Sequence, residues 1–424
     1  MTIIYNQGNV SQFVGDENDN EKIQKIKDKI QELFNMKSIC FLFGAGTSNG
    51  AIPVMGKLFE QVTDQLEQEG NEGLKAYFEK LNPEQIKDNL EEVLGLLYSE
   101  HNFLKATLKN EELEDNPCVL LIKLIEEEIF ESINIDINAS ENNNVLENYK
   151  AFYQKVTLRN KDLARVNVFT TNNDLFNEYA MDALNINYIN GFSGGLTKFF
   201  NPGLFNYTFS KRMDTSIEKF EPVENMVYLY KIHGSVNWTE DVNNTNTFFN
   251  IKEIPYSQEN TNAHSVLVYP APTKQNKSLG SPYVEMFREF QKKLLEQHTV
   301  LFVIGYSFSD EHINNIIYQA LAINSTINVV VFGNVKGNIT KIKDNRIINI
   351  YGKVNNLKLK DLSSTYQIPK RIIDIKPNVF NTDTFTSNIH YFNYIVENFI
   401  PNVDMYKKQD EILVDFIKQY KSLN

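Results

Sequence analysis

Ser38-Ile39-Cys40-Phe41-Leu42-Phe43-Gly44-Ala45-Gly46-Thr47-Ser48 is the stretch that decides the fold. An apolar run this short, closed by glycines, reads as a strand buried on both faces and then a tight turn. Upstream, Ile23, Ile26, Ile30 and Leu33 fall at helical spacing within Glu21 to Leu33, so the chain opens as helix, then buried strand. Downstream, Lys57 to Phe130 is helical in pattern, with one stripe of Leu58, Phe59, Val62 and Leu66 and another of Ile86, Leu90, Val93, Leu94 and Leu97. A polar loop at Ala139 to Asn144 precedes a second buried strand, Arg165 to Thr170, which ends in a polar cluster.

Strand-like runs recur at Met226 to Ile232, Ser265 to Tyr269, Thr299 to Ile304 and Ile327 to Phe332, with helical stretches at Glu285 to Leu295 and His312 to Leu321. This alternation predicts an α/β fold, a Rossmann-like parallel sheet flanked by helices, with a helical insertion after the first strand. After Gly333 come short β-prone pieces at Arg346 to Tyr351 and Arg371 to Ile375, then helices at Tyr391 to Phe399 and Gln409 to Tyr420. The division expected is an N-terminal helical arm over 1–36, a main domain over 37–335 with its insertion at about 54–160, and a small C-terminal α+β unit over 336–424 serving assembly. The aromatic, irregular segment 195–222 has the texture of a lid or an insertion.

Composition narrows the function. With 42% hydrophobic and 12% aromatic residues in 424, the chain has enough apolar side chain to offset the conformational entropy of folding. A formal charge of −12 and the lack of a Lys/Arg stripe argue against direct nucleic-acid binding. Two cysteines, Cys40 and Cys118, rule out a disulfide framework and a four-cysteine zinc ribbon. No apolar run approaches the ~20 residues of a membrane span, and Met1 to Gly15 lacks a signal-peptide pattern, so a cytoplasmic protein with no membrane contact is expected.

Chemistry-bearing residues gather after the strands. The small residues Gly44, Ala45, Gly46, Thr47 and Ser48 would let backbone N–H groups approach a pyrophosphate; a tight turn without a ligand is the other reading. Asn stands at position 49 and the next glycine is Gly50, so the GxGxxG pattern of dehydrogenases fails, and Glu60 and Asp64 lie within a helix instead of at a strand end. Thr170-Thr171-Asn172-Asn173-Asp174 offers an amide to orient a water or ribose and a carboxylate to accept from sugar hydroxyls, or else simply caps the next helix. His233, in Lys231-Ile232-His233-Gly234-Ser235, has an imidazole whose ordinary pKa near ~6.5 suits a general base. His101, His264, His298 and His390 are expected to be surface or core residues, and His312 part of a helix end. Gly305-Tyr306-Ser307-Phe308-Ser309-Asp310 and Gly333-Asn334 repeat the pattern of glycine and small polar residues, and several such loops along one crevice favour an extended nucleotide.

Read in order from about Ser38 to Asn334, these segments resemble the sirtuin family, and more closely its bacterial relatives in antiphage defence. Gly44 to Ser48 leading to Ala51-Ile52-Pro53 is similar to the family's Gly-Ala-Gly-x-Ser turn and Gly-Ile-Pro. Thr170 to Asp174 is similar to Thr-Gln-Asn-Ile-Asp. The resemblance implies NAD⁺ as substrate with no metal, Asn172 and His233 as catalytic residues, and Asp174, Gly305, Ser307, Gly333 and Asn334 as nucleotide contacts beside the first turn. The deacylase zinc cysteines are absent, and Val54-Met55-Gly56 replaces Asp-Phe-Arg. Asn190-Gly191-Phe192, Trp238, Tyr269-Pro270 and the run from Gly305 to His312 look like the defence branch. That likeness implies an NAD⁺ hydrolase giving ADP-ribose and nicotinamide, a homo-oligomer, and a hetero-oligomer with a HerA-type hexameric ATPase. Protein deacylation and non-catalytic NAD or ADP-ribose binding are the alternatives.

Overall fold

A computed structural model of the protein describes residues 3–13, 15–81, 90–160, 162–213, 220–241, 249–257, 265–267, 282–335, 338–359 and 382–401. Its centre is β2, Ser38–Phe43, every residue of which is buried. A strand so covered needs neighbours on both edges, and the parallel strands β3 (Val166–Thr170) and β7 (Thr299–Ile304) supply them. Beyond β3 lie β5 (Met226–Lys231) and β4 (Asn187–Ile189); beyond β7 lie β8 (Asn328–Phe332) and β9 (Ile347–Leu359). The parallel order is therefore β4-β5-β3-β2-β7-β8-β9, extended antiparallel by β1 (Ile3–Gln7) and Val10–Ser11, with β10 (Thr382–Asn388) pairing β9. This is a mixed α/β fold with a mostly parallel central sheet flanked by helices.

Strand pleating divides the core. Phe41 and Phe43 face one side with Phe34, Tyr149, Phe152 and Phe302. Cys40 and Leu42 face the other, with Phe169, Leu301 and Val303. The first side is covered by α1 (Asp19–Phe34) and α6 (Asn143–Val156). The second is covered by α8 (Tyr283–Leu294), through Met286, Phe287 and Phe290, and by α9 (Glu311–Ile323), through Ile313 and Ile317. Each such side chain, taken fully out of water, contributes about 1.5–3 kcal/mol. Helix α1 starts on a capping box, Asn18 and Glu21 each accepting the other's backbone N–H. Between β2 and β3 run α2 (Met55–Leu66), α3 (Glu72–Leu81), α4 (Leu90–Thr107), α5 (Pro117–Ile133) and α6, which is the expected helical insertion.

The placement of several segments is more specific than their pattern. Ser265–Leu267, anticipated within the alternating run, pairs instead with β6 (Gly234–Glu240) in a small antiparallel sheet with Ile251–Glu253, Lys198–Phe200 and Phe192–Ser193. Gly234 makes that reversal possible, because its φ of +84° suits glycine and a Cβ there would sit 2.0 Å from the Val266 carbonyl oxygen. Strand β9 falls within 336–424 and yet is a parallel member of the central sheet, while β1 adds a strand to the region read as a helical arm. From 195–222, Ser210–Arg212 and Phe220–Pro222 form a hairpin, and Phe205 stacks on Tyr230 of β5 at 4.4 Å. Arg371 to Ile375, Gln409 to Tyr420, Ile86 and Tyr269-Pro270 lie outside the described residues.

Candidate functional site

All seven parallel strands release their loops at one edge, and their order sets the order of the chemistry. The turn Gly44–Ser48 follows β2 and Gly305-Tyr306-Ser307 follows β7, at the point where successive connections leave in opposite directions. Crevices form at such a switch. Here the two backbones touch: a Cβ on Gly44 would lie 2.6 Å from the Gly305 carbonyl oxygen, and one on Gly46 2.7 Å from the Gly305 Cα. Gly305 itself has φ +67°. Glycine is required at all three places by contact, before any ligand is considered.

Three N–H groups that the sequence offers to a pyrophosphate are engaged within the protein. Gly46 donates to the Gly305 carbonyl, Thr47 to that of Gly44 and Ser48 to that of Ala45, each at 3.0–3.2 Å. The segment Ala45–Thr47 is a 3₁₀ turn, and such a turn consumes its own donors. The turn's side chains are the more informative part. Thr47 Oγ1 and Ser48 Oγ lie 2.7 and 3.0 Å from the Tyr149 hydroxyl. Asn172 Nδ2 donates to both hydroxyl oxygens, at 3.0 and 3.1 Å. Ser48 Oγ donates to Asp174 Oδ2 at 2.7 Å, and Asp174 Oδ1 accepts the Phe176 N–H at 3.1 Å. Asp174 thus serves both the turn and the start of α7 (Phe176–Ala183). Its carboxyl is held above the ordinary range by burial, opposed by Lys231.

Beneath this cluster is a buried cation. Lys231 Nζ forms an ion pair with Glu178 Oε1 at 3.0 Å, donates to Ser235 Oγ at 2.7 Å and also donates to the Asp174 carbonyl. Asn173 Nδ2 donates to the carbonyls of His233 and Gly234 at 2.7 and 3.2 Å. The loops after β3 and β5 are bound together by these contacts, so Asn172 and His233 stand on neighbouring strand ends. His233 Nε2 lies 3.1 Å from Asp310 Oδ2, and both residues are buried. Asp310 closes the Gly305–Asp310 loop picked out in the sequence; it also stands just before a helix, where a cap is expected, and it is one.

An open cavity of about 530 Å³ lies along the same edge. Of the sequence-selected residues it is lined by Gly46, Thr47, Gly305, Ser307, Gly333 and Asn334; Gly44, Ala45, Ser48, Asn172, Asp174 and His233 lie outside its lining. Thr47 joins the two groups, since its hydroxyl receives the Asn172 amide. Sequence reasoning missed Glu141, in the 3₁₀ turn Ser140–Asn142, Asn144 and Asn148, brought in by α6, and His390 to Asn393 at the start of α10 (Phe392–Asn398). His390, expected among the surface and core histidines, lines the cavity and accepts the Gly352 N–H at its Nδ1 at 3.5 Å.

Residues 166–352 match the model of the SIR2-like domain. The match supports a sirtuin-like family. It takes in Asn172, Asp174, His233, Gly305, Ser307, Gly333 and Asn334, and begins after the Gly44–Ser48 turn. No curated protein matches the chain. Among solved structures, one described as showing the structural basis for the mechanism and regulation of Sir2 enzymes aligns at 14% identity over 74% of this chain and 88% of that one, with a TM-score of 0.33. Among the described residues, no group of three or more His, Cys, Asp or Glu could hold a metal ion, and no helix is long and apolar enough to cross a membrane.

Proposed function

We propose that the protein is an NAD⁺ glycohydrolase. The observation that carries this is the row of strand ends: β5 presents His233, β3 presents Asn172, β2 the Gly44–Ser48 turn, then β7 and β8 present Gly305, Ser307, Gly333 and Asn334. At about 4.8 Å per strand, β5 to β8 spans roughly 19 Å, the shape of a site for an extended dinucleotide. The nicotinamide ribose belongs at the Asn172–His233 end, the diphosphate over the small residues Gly46 and Gly305, and the adenosine toward Gly333 and Asn334, with Ser307 and Asp174 supporting the riboses. The C–N bond between ribose and nicotinamide breaks, its electron pair leaving on the nicotinamide nitrogen, and water adds to the oxocarbenium-like sugar carbon. His233 takes a proton from a ribose hydroxyl or from that water, giving ADP-ribose, nicotinamide and a proton. No step requires a metal.

The likeness of Asn190-Gly191-Phe192, Trp238 and Gly305 to His312 to the defence branch supports a role in antiphage defence by NAD⁺ depletion, in the cytoplasm, as a homo-oligomer and in a hetero-oligomer with a HerA-type ATPase. A second reading is NAD⁺ or ADP-ribose binding without cleavage. It is favoured by the absence of Asn172 and His233 from the cavity lining. Mass spectrometry of products from wild type, Asn172→Ala and His233→Ala, with and without the ATPase, decides between them. Nicotinamide release lost in both variants is expected; equal release from all three chains removes the catalytic assignment, and stoichiometric binding with no release by wild type in either condition selects the second reading.

A further inference from the structure

The cavity, which Asn172 and His233 do not line, takes one wall from a segment beyond the matched 166–352. Strand β10 pairs antiparallel with β9, Lys353 against Asn388, and Ile389 N–H then donates to the Gly352 carbonyl at 3.0 Å. This holds the chain beside the last parallel strand as it turns into α10. Phe392 is driven into the core, its ring 5.4 Å from Phe43, 5.0 Å from Tyr149 and 5.9 Å from Phe152. Its neighbour Tyr391 also lines the cavity and remains 49% exposed. The Tyr391 ring meets His390 at 5.2 Å and an interplanar angle of 82°, a perpendicular contact that leaves at least one face of the Tyr391 ring clear of the imidazole. A large ring left half exposed on a cavity wall is an arrangement that can take a planar base. Asn144, Asn148 and Asn393, also on the lining, supply amides, each both donor and acceptor, for a base edge.

We infer that Tyr391 is the stacking platform for the adenine of the dinucleotide, with the amides of Asn393 and Asn144 reading the base edge, and that the segment after β9 therefore selects adenine nucleotides. This rests on the NAD⁺ reading, because the strand order places adenosine at this end only if the nicotinamide ribose lies at Asn172.

The experiment is isothermal titration of the full chain with ADP-ribose and with nicotinamide mononucleotide, using wild type, Tyr391→Ala and Tyr391→Phe, with melting temperatures as a check on folding. Base stacking on an aromatic side chain, probed by alanine substitution, predicts ADP-ribose affinity about 5- to 150-fold weaker in Tyr391→Ala. Affinity should be within about 2-fold of wild type in Tyr391→Phe, because the ring that stacks is kept. Nicotinamide mononucleotide, which has no adenine, should bind all three chains alike. Unchanged ADP-ribose affinity in Tyr391→Ala overturns the inference and leaves the NAD⁺ reading standing, as does an equal loss for both ligands, which would mean a general distortion of the cavity. Failure of wild type to bind ADP-ribose at all would instead remove the NAD⁺ reading itself.

Discussion

His233 and Asp310 form a buried pair, Nε2 to Oδ2 at 3.1 Å, while the other oxygen of the same carboxylate accepts the N–H groups of His312 and Ile313 at the start of α9. One side chain therefore both caps a helix and orients an imidazole. Asparagine caps as well as aspartate does but carries no charge to stabilise an imidazolium. Asp310→Asn is expected to melt within a degree or two of wild type and yet to lower kcat for NAD⁺ cleavage by about 10-fold or more, short of the ~10²–10⁴-fold that loss of a general base brings in His233→Ala. Steady-state kinetics with thermal melts measures both, and wild-type kcat in Asp310→Asn would assign the carboxylate to the helix alone.

Gly305 touches the first turn so closely that no side chain fits. Its φ is +67°, and a Cβ would stand 2.7 Å from the Thr47 nitrogen. Strain of the left-handed backbone and overpacking together should make Gly305→Ala less stable by on the order of 3 kcal/mol. Urea denaturation gives the value directly. A loss below about 0.5 kcal/mol would show that the two loops can separate without penalty.

The ion pair of Lys231 with Glu178 is sealed from water, the side chains 0% and 8% exposed. Removing one partner strands the other, so Lys231→Met should cost roughly 3–5 kcal/mol, and adding Glu178→Leu should recover much of it. The double-mutant cycle in urea tests this. Equal stability of the single and double variants would mean that the lysine acts through its bonds to Ser235 and Asp174 and not through charge.

His390 is held below its ordinary value of 6.5, mainly by burial, with help from Lys353. The folded chain therefore takes up a proton less readily than the unfolded one. Its contribution to stability is complete above about pH 6.5 and drains away as pH falls through the depressed value. Melting temperature should drop less steeply between pH 7 and pH 5 in His390→Asn than in wild type. Parallel curves would place the acid sensitivity elsewhere.

The strands were legible because a buried parallel sheet leaves unmistakable runs: Thr299–Ile304 and Ser38–Phe43 lie where the apolar pattern puts them. The glycine turns were legible for a related reason, since a backbone that must touch another backbone excludes side chains. Partnership was not. Nothing local to Ser265–Leu267 distinguishes a strand of the central sheet from one beside β6, and nothing in Arg346 to Tyr351 says that it joins β8 in parallel. The site was read from its strand-end loops, and its remaining walls were invisible because Asn144, Asn148 and Tyr391 are ordinary surface residues until long-range packing brings them together. A lone histidine such as His390 likewise carries no signal of the cavity beside it.

The packing of Phe392 on Phe43 and Tyr149 also bears on when the molecule matures. The ring that completes this packing emerges from the ribosome long after the strand it rests on, and the pairing of β2 with β7 likewise waits for late synthesis. A nascent polypeptide can thus display every early glycine loop and still hold no finished pocket.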